Sequence, residues 1–159
     1  MGNTALPAEV ADVVTAIENS VTCNAAVKTI GNVPDVIQDG VTFSSINFAA
    51  STQSPLAFAL SEFATANPLA STDLAAFETN LNLYLATEAG IRSEAGNLAI
   101  KVPKFFLAFQ VARIKTAKGI EITDPGQTVE HLLEKVQKNA GTNDKALLGQ
   151  VVTLSTKLA

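Results

Sequence analysis

NPLASTDLAAFETNLNLYLATEAGIRSEAGNLAIKVPKFFLAFQVARIKTA (67–117) is the stretch on which the fold reading turns. Ser71 or Thr72 is placed to cap a helix and Asp73 falls in its first turn. Leu74, Phe77, Leu81, Tyr84, Leu85, Ile91 and Leu98 then recur at helical spacing. The pattern predicts a helix to about residue 101, roughly 45 Å at about 1.5 Å per residue, with Gly90 and Gly96 as places for a bend. Pro103 opens the next helix, which runs to about 118 and is ended by Gly119. In it Phe105, Phe106, Leu107, Phe109, Val111, Ala112 and Ile114 point in every direction, so this helix is central or lines something.

Towards the N-terminus, a segment from about 7 to 30 opens on Pro7 and carries Val10, Val13, Val14, Ile17 and Val21 as one apolar stripe. IGNVPDVIQDG (30–40), with Gly31, Pro34 and Gly40, reads as a break or a short helical turn. A segment from about 43 to 67 holds Phe43, Ile46, Phe48, Leu56, Leu60 and Phe63, and Pro55 kinks or splits it. Towards the C-terminus, Asp124-Pro125 opens a helix with Val129, Leu132, Leu133 and Val136 on one face, stopped by Gly141. Thr142-Asn143-Asp144 caps a last helix with Leu147, Val151, Leu154 and Leu158. A strand competes only in VTFSSINFAA (41–50), and no hairpin signal separates two alternating runs. The expected fold is all-α: an antiparallel bundle of five to six helices with short connections, forming one domain over residues 1–159.

Length and composition narrow the function. The 159 residues suit one domain, and 47% hydrophobic against 16% charged residues excludes a disordered chain. A formal net charge of −4 argues against nucleic acid as partner. No uninterrupted apolar run reaches the length of a membrane span, so no integral membrane segment is expected. Met1-Gly2-Asn3 has neither a basic nor an apolar signal region, and Leu6 stands where myristoylation wants Ser or Thr. A lone Cys23 excludes an intrachain disulfide and a multi-thiolate metal site.

Catalysis has little to work with. His131 is the single histidine and has no partner evident in the sequence. There is no GxSxG elbow, no phosphate-cradling glycine loop and no pair of ExxH motifs. The chain is expected to be neither an enzyme nor a metal or cofactor protein.

The aromatic content is lopsided: eight Phe, one Tyr and no Trp. The rings fall between residues 43 and 109, among many alanines. Small side chains beside scattered rings either let helices close tightly or leave a dry cavity suited to an acyl chain. A sixteen-carbon chain would gain on the order of 10 kcal/mol gross on burial. The residues expected to line such a cavity are Val14, Ile17, Leu60, Phe63, Phe77, Leu81, Phe105, Phe106 and Phe109. Gln110, polar among the rings, is the candidate for holding a carboxylate head group, with Arg92 and Arg113 read as solvated flanks.

NSVTCNAAVKTIGN (19–32), ALSEFATANPLASTDLAAF (59–77) and IKVPKFF (100–106) together resemble the fungal cell-wall galactomannoprotein antigens related to hydrophobic surface-binding protein A. Within that family the chain is most similar to the ligand-binding domains of secreted mould mannoprotein virulence factors. The resemblance implies a secreted or wall-associated helical bundle; the chain is expected to be a monomer or weak dimer. It also implies a long hydrophobic central cavity holding long-chain fatty acids such as arachidonic or palmitic acid. The alternative it implies is a surface-active wall protein or structural antigen that adsorbs to hydrophobic surfaces. No motif of the family transfers residue by residue, and secretion rests on the resemblance alone.

Overall fold

A computed structural model describes residues 2–159. Six α-helices and one small sheet follow in the order α1 (Ala8–Ile17), β1 (Thr22–Lys28), β2 (Pro34–Gln38), β3 (Val41–Thr42), α2 (Pro55–Glu62), α3 (Leu74–Ser93), α4 (Lys101–Ala117), α5 (Val129–Asn139) and α6 (Leu148–Thr156). The expectation of an all-α bundle is therefore corrected: the fold is mixed, with a three-stranded antiparallel sheet in the order β1-β2-β3.

The sheet stands where a helix and a break were expected. The apolar stripe of α1 ends at Ile17, and NSVTCNAAVKTIGN turns into a strand rather than extending the helix. Thr22, Cys23 and Asn24 pair with Ile37, Val36 and Asp35. The register then slips through a bulge, where Asn24 Oδ1 accepts from Ala26 N at 3.1 Å, before Lys28 faces Pro34. β2 and β3 join through the two-residue turn Asp39-Gly40, both at positive φ (51° and 78°), which is the geometry an Asp-Gly hairpin adopts. Asp35, 3% exposed, ties the sheet to the following single-turn helix: it accepts from Ser44 N at 2.9 Å and from Ser44 Oγ at 2.6 Å.

α3 and α4 form the centre, with β2 on α3 and with α2 and α5 on α4. Asp73, rather than Ser71 or Thr72, caps α3 by accepting from Ala76 N at 3.1 Å. The helix stops at Ser93, short of 101. Ala95 at φ 53° turns the chain, with its N–H on Arg92 O at 3.0 Å and Gly96 N–H on Ile91 O at 2.9 Å. That double bond pattern ends many helices, ordinarily with glycine at the left-handed position. Here an alanine bears it. Ala95→Gly is therefore expected to raise stability by roughly 0.5–1 kcal/mol, read as a higher denaturant midpoint with an unchanged slope; a lower midpoint would contradict this account of the turn.

The core is solid aromatic and aliphatic packing. Phe43, Phe63 and Tyr84 stack edge to face, with centroids 4.9 Å apart (Phe43–Tyr84) and 5.7 Å apart (Phe63–Tyr84). Phe106 and Phe109 lie 6.0 Å apart. The Tyr84 hydroxyl donates to Ile46 O and accepts from Phe48 N, and burial pushes its pKa well above the ordinary tyrosine value.

Candidate functional site

The most apolar recess lies between α1, the start of β2 and one face of α3. Ala86, Ala89, Gly90 and Ser93 recur at i, i+3, i+4 and i+7, so they share one face of α3 and give it a shallow surface. α1 hangs Val14 and Ile17 over this face, and Val33 and Val36 close the far side. The result is a crevice of about 320 Å³, open to solvent. Of the side chains in its wall, Glu18 and Ser93 alone carry oxygen. Ser93 Oγ is already donating to Gly90 O at 2.7 Å, and Glu18 is exposed at the rim. Leu6, Val21 and Cys23 complete the wall. Nearby, the chain before α1 is held against the end of α3 by Thr4 N–H on Ser93 O at 2.9 Å.

Behind this face α3 carries a charge cluster. Glu88, 2% exposed, accepts from Arg92 Nε at 2.9 Å and from Lys104 Nζ of α4 at 3.1 Å. Lys104 Nζ also sits 3.7 Å from the centroid of the Phe105 ring. Burial lowers the Lys104 pKa, and the attraction and hydrogen bond of Glu88 oppose that fall.

The expected cavity residues are not brought together. Phe63, Phe106 and Phe109 lie in the packed core, 1%, 0% and 0% exposed. A void wide enough for an acyl chain would leave ring faces open to a water-sized sphere, and these rings show almost none. The long central cavity is thus corrected to a filled core. Phe77, Leu81 and Phe105 are half-buried against the outside of that core. Leu60 shares a separate crevice with Gln110, between α2, α4 and α6. Only Val14 and Ile17 line the apolar crevice.

Both polar atoms of Gln110 have partners elsewhere. Its Nε2 donates to Phe63 O at 3.0 Å, and its Oε1 accepts from Arg113 Nη1 at 2.7 Å. Arg113, expected on a solvated flank, is 2% exposed. It donates to Leu154 O and Lys157 O, both at 2.8 Å, so it holds the carbonyl end of α6, where a cation is favoured. Burial lowers its pKa.

His131 is half-buried on α5, and Cys23 is exposed. Among the described residues no group of His, Cys, Asp and Glu side chains is arranged to hold a metal ion. No described helix is long and apolar enough to cross a membrane. Sequence reasoning missed Val33 and Val36 because it read 30–40 as a break, and missed Ala86 and Ala89 although the small-residue face of α3 was a signal for them.

Comparison with known proteins places the chain in a family whose function is unknown. No curated protein and no solved structure matches the chain. Its whole length, residues 1–159, fits one family pattern, and the chain belongs to that family, the domain of unknown function DUF7143.

Proposed function

We propose that the chain is a non-enzymatic binder of one long-chain fatty acid, held in the crevice between α1, β2 and α3. The observation that carries this reading is the crevice itself: aliphatic walls from three elements, with its two oxygen-bearing side chains either satisfied or at the rim. Contiguous exposed apolar surface of this kind marks ligand or partner sites. The galactomannoprotein-like pattern of 59–106 supports a fatty acid as the ligand class, and secretion or wall association belongs to the same proposal. The carboxylate stays in water at the rim, since Gln110 is occupied within the core.

The volume sets the chain length that is felt. At about 30 Å³ for a water-sized group, about 320 Å³ accommodates roughly ten methylenes. Each methylene fully removed from water is worth about 0.8 kcal/mol, or up to about fourfold in affinity. Affinity is therefore expected to rise from hexanoic to about decanoic acid and then level off to palmitic and arachidonic acid. Ile17→Asp, at a half-buried wall position, should weaken decanoic acid by about tenfold or more while the fold persists. Titration calorimetry below the micellar concentration checks both. Absence of binding, or affinity still climbing at sixteen carbons, would overturn this placement.

A second reading follows from α1, whose one buried residue is Val10. A helix so lightly held could lift and lay the crevice walls on a hydrophobic surface. That behaviour gives adsorption without fixed stoichiometry, whereas the crevice gives one fatty acid per chain.

A further inference from the structure

We propose that a second crevice, at the N-terminal end of α2, binds a small uncharged polyol through Asp144. The crevice measures about 460 Å³ and lies between the start of α2, the start of α4 and the α5–α6 connection; it shares no wall residue with the apolar crevice. Ser54, Asn139, Thr142, Asn143 and Asp144 give it a polar wall.

Asp144 does not cap the helix that follows it. Instead its Oδ2 reaches a residue 88 positions away and accepts from Leu56 N at 3.1 Å, capping α2. Ser54, directly before α2, makes no cap bond, so its hydroxyl is left to the crevice. Asp144 is 2% exposed, yet its Oδ1 has no hydrogen-bond partner. Buried carboxylate oxygens are very rarely left so. What this oxygen lacks is a donor, not a counter-charge, because the positive end of α2 already faces the carboxylate. A cation would meet that helix end unfavourably, and an anion would meet Asp144. A neutral O–H suits both. Asn139 adds a second acceptor: its amide nitrogen donates to Lys135 O at 2.8 Å, and no donor among the described residues bonds its Oδ1. Two acceptors and the Ser54 hydroxyl in one crevice match a molecule with several hydroxyls. Oδ1 is closed off from solvent, so ligand entry requires the exposed Thr142 and Asn143 side chains to turn aside.

The test is an amide-shift titration of the whole chain with glycerol and, separately, D-glucose. At least one probe is expected to give saturable shifts at Leu56, Asn143 and Asp144. Asp144→Asn keeps an oxygen for Leu56 N but replaces the charged acceptor Oδ1 by an NH2, which a ligand hydroxyl meets only as acceptor and more weakly. It should reduce the shifts at a given probe concentration severalfold with the thermal midpoint little changed. Should that variant fail to fold, Thr142→Trp fills the crevice from its exposed wall without touching the cap and should remove them. Absence of saturable shifts with both probes would mean that Oδ1 takes only a trapped water, and the proposal falls. Shifts undiminished by Asp144→Asn, or surviving Thr142→Trp, in a folded protein would overturn it equally.

Discussion

Phe109→Ala is expected to lower the free energy of unfolding by about 3–5 kcal/mol while leaving the fatty-acid affinity of the folded protein unchanged. The ring is 0% exposed and packs against Phe106 at 6.0 Å on the helix that touches α2, α3 and α5. Neighbours on three sides cannot all move into the space, so the cost combines lost transfer energy with a residual cavity. That is a large part of the roughly 5–15 kcal/mol that holds a domain of this kind folded. If the ring instead lined a ligand cavity, truncation would cost little and enlarge the site. Urea denaturation with and without decanoic acid distinguishes the two: a loss under about 1 kcal/mol with tighter lipid binding would restore the cavity and overturn the solid core.

Glu88→Ala should cost a similar amount, about 3–5 kcal/mol, because it strands two cations rather than one. Glu88 is 2% exposed, and the Arg92 and Lys104 side chains are 18% and 13% exposed. The variant carries a pH signature as well. Burial already holds the Lys104 pKa below its ordinary value, so over the interval up to 10.5 the unfolded chain binds more protons than the folded one. Stability from this group therefore rises with pH across that window. Removing Glu88 deletes the two influences that raise the Lys104 pKa, which extends the window to lower pH. The deficit of the variant relative to the parent should be greatest near neutrality and shrink in alkali as Lys104 loses its proton. A deficit independent of pH would show that Lys104 is not the stranded charge.

Most helices were legible because their apolar residues recur over long runs. α5 keeps Val129, Leu132 and Val136 buried on one face, as its spacing dictates. α4 is buried nearly all round, as its rings and aliphatics demanded. The sheet was illegible for a physical reason: every residue of β1 is exposed, so no apolar alternation exists to mark it, and β3 is two residues long. The Asp39-Gly40 dipeptide was nevertheless a hairpin signal, and its positive φ pair shows why those residues stand there. The extent of α3 was misjudged because Ala95, which nothing in the sequence marks as a turn residue, takes the left-handed position.

The polar interior shows the same division. Glu88 with Arg92 four residues on is readable as a helical pair, but Lys104 joins it through the α3–α4 contact, which no local pattern encodes. Arg113 looked like a solvated flank because four of its hydrogen bonds go to Thr65, Gln110, Leu154 and Lys157, three of them more than forty residues away. Greasy composition raised apolar-ligand chemistry as a question. It could not tell a filled core from a hollow one, since both use the same rings.

The most direct test of the proposed binding is an amide-shift titration of the isotope-labelled chain with decanoic acid. The crevice predicts saturable one-to-one shifts confined to Val14, Ile17, Val33, Val36, Ala86 and Ala89, with Phe63, Phe106 and Phe109 still. Shifts centred on those phenylalanines, or none at all, would contradict it.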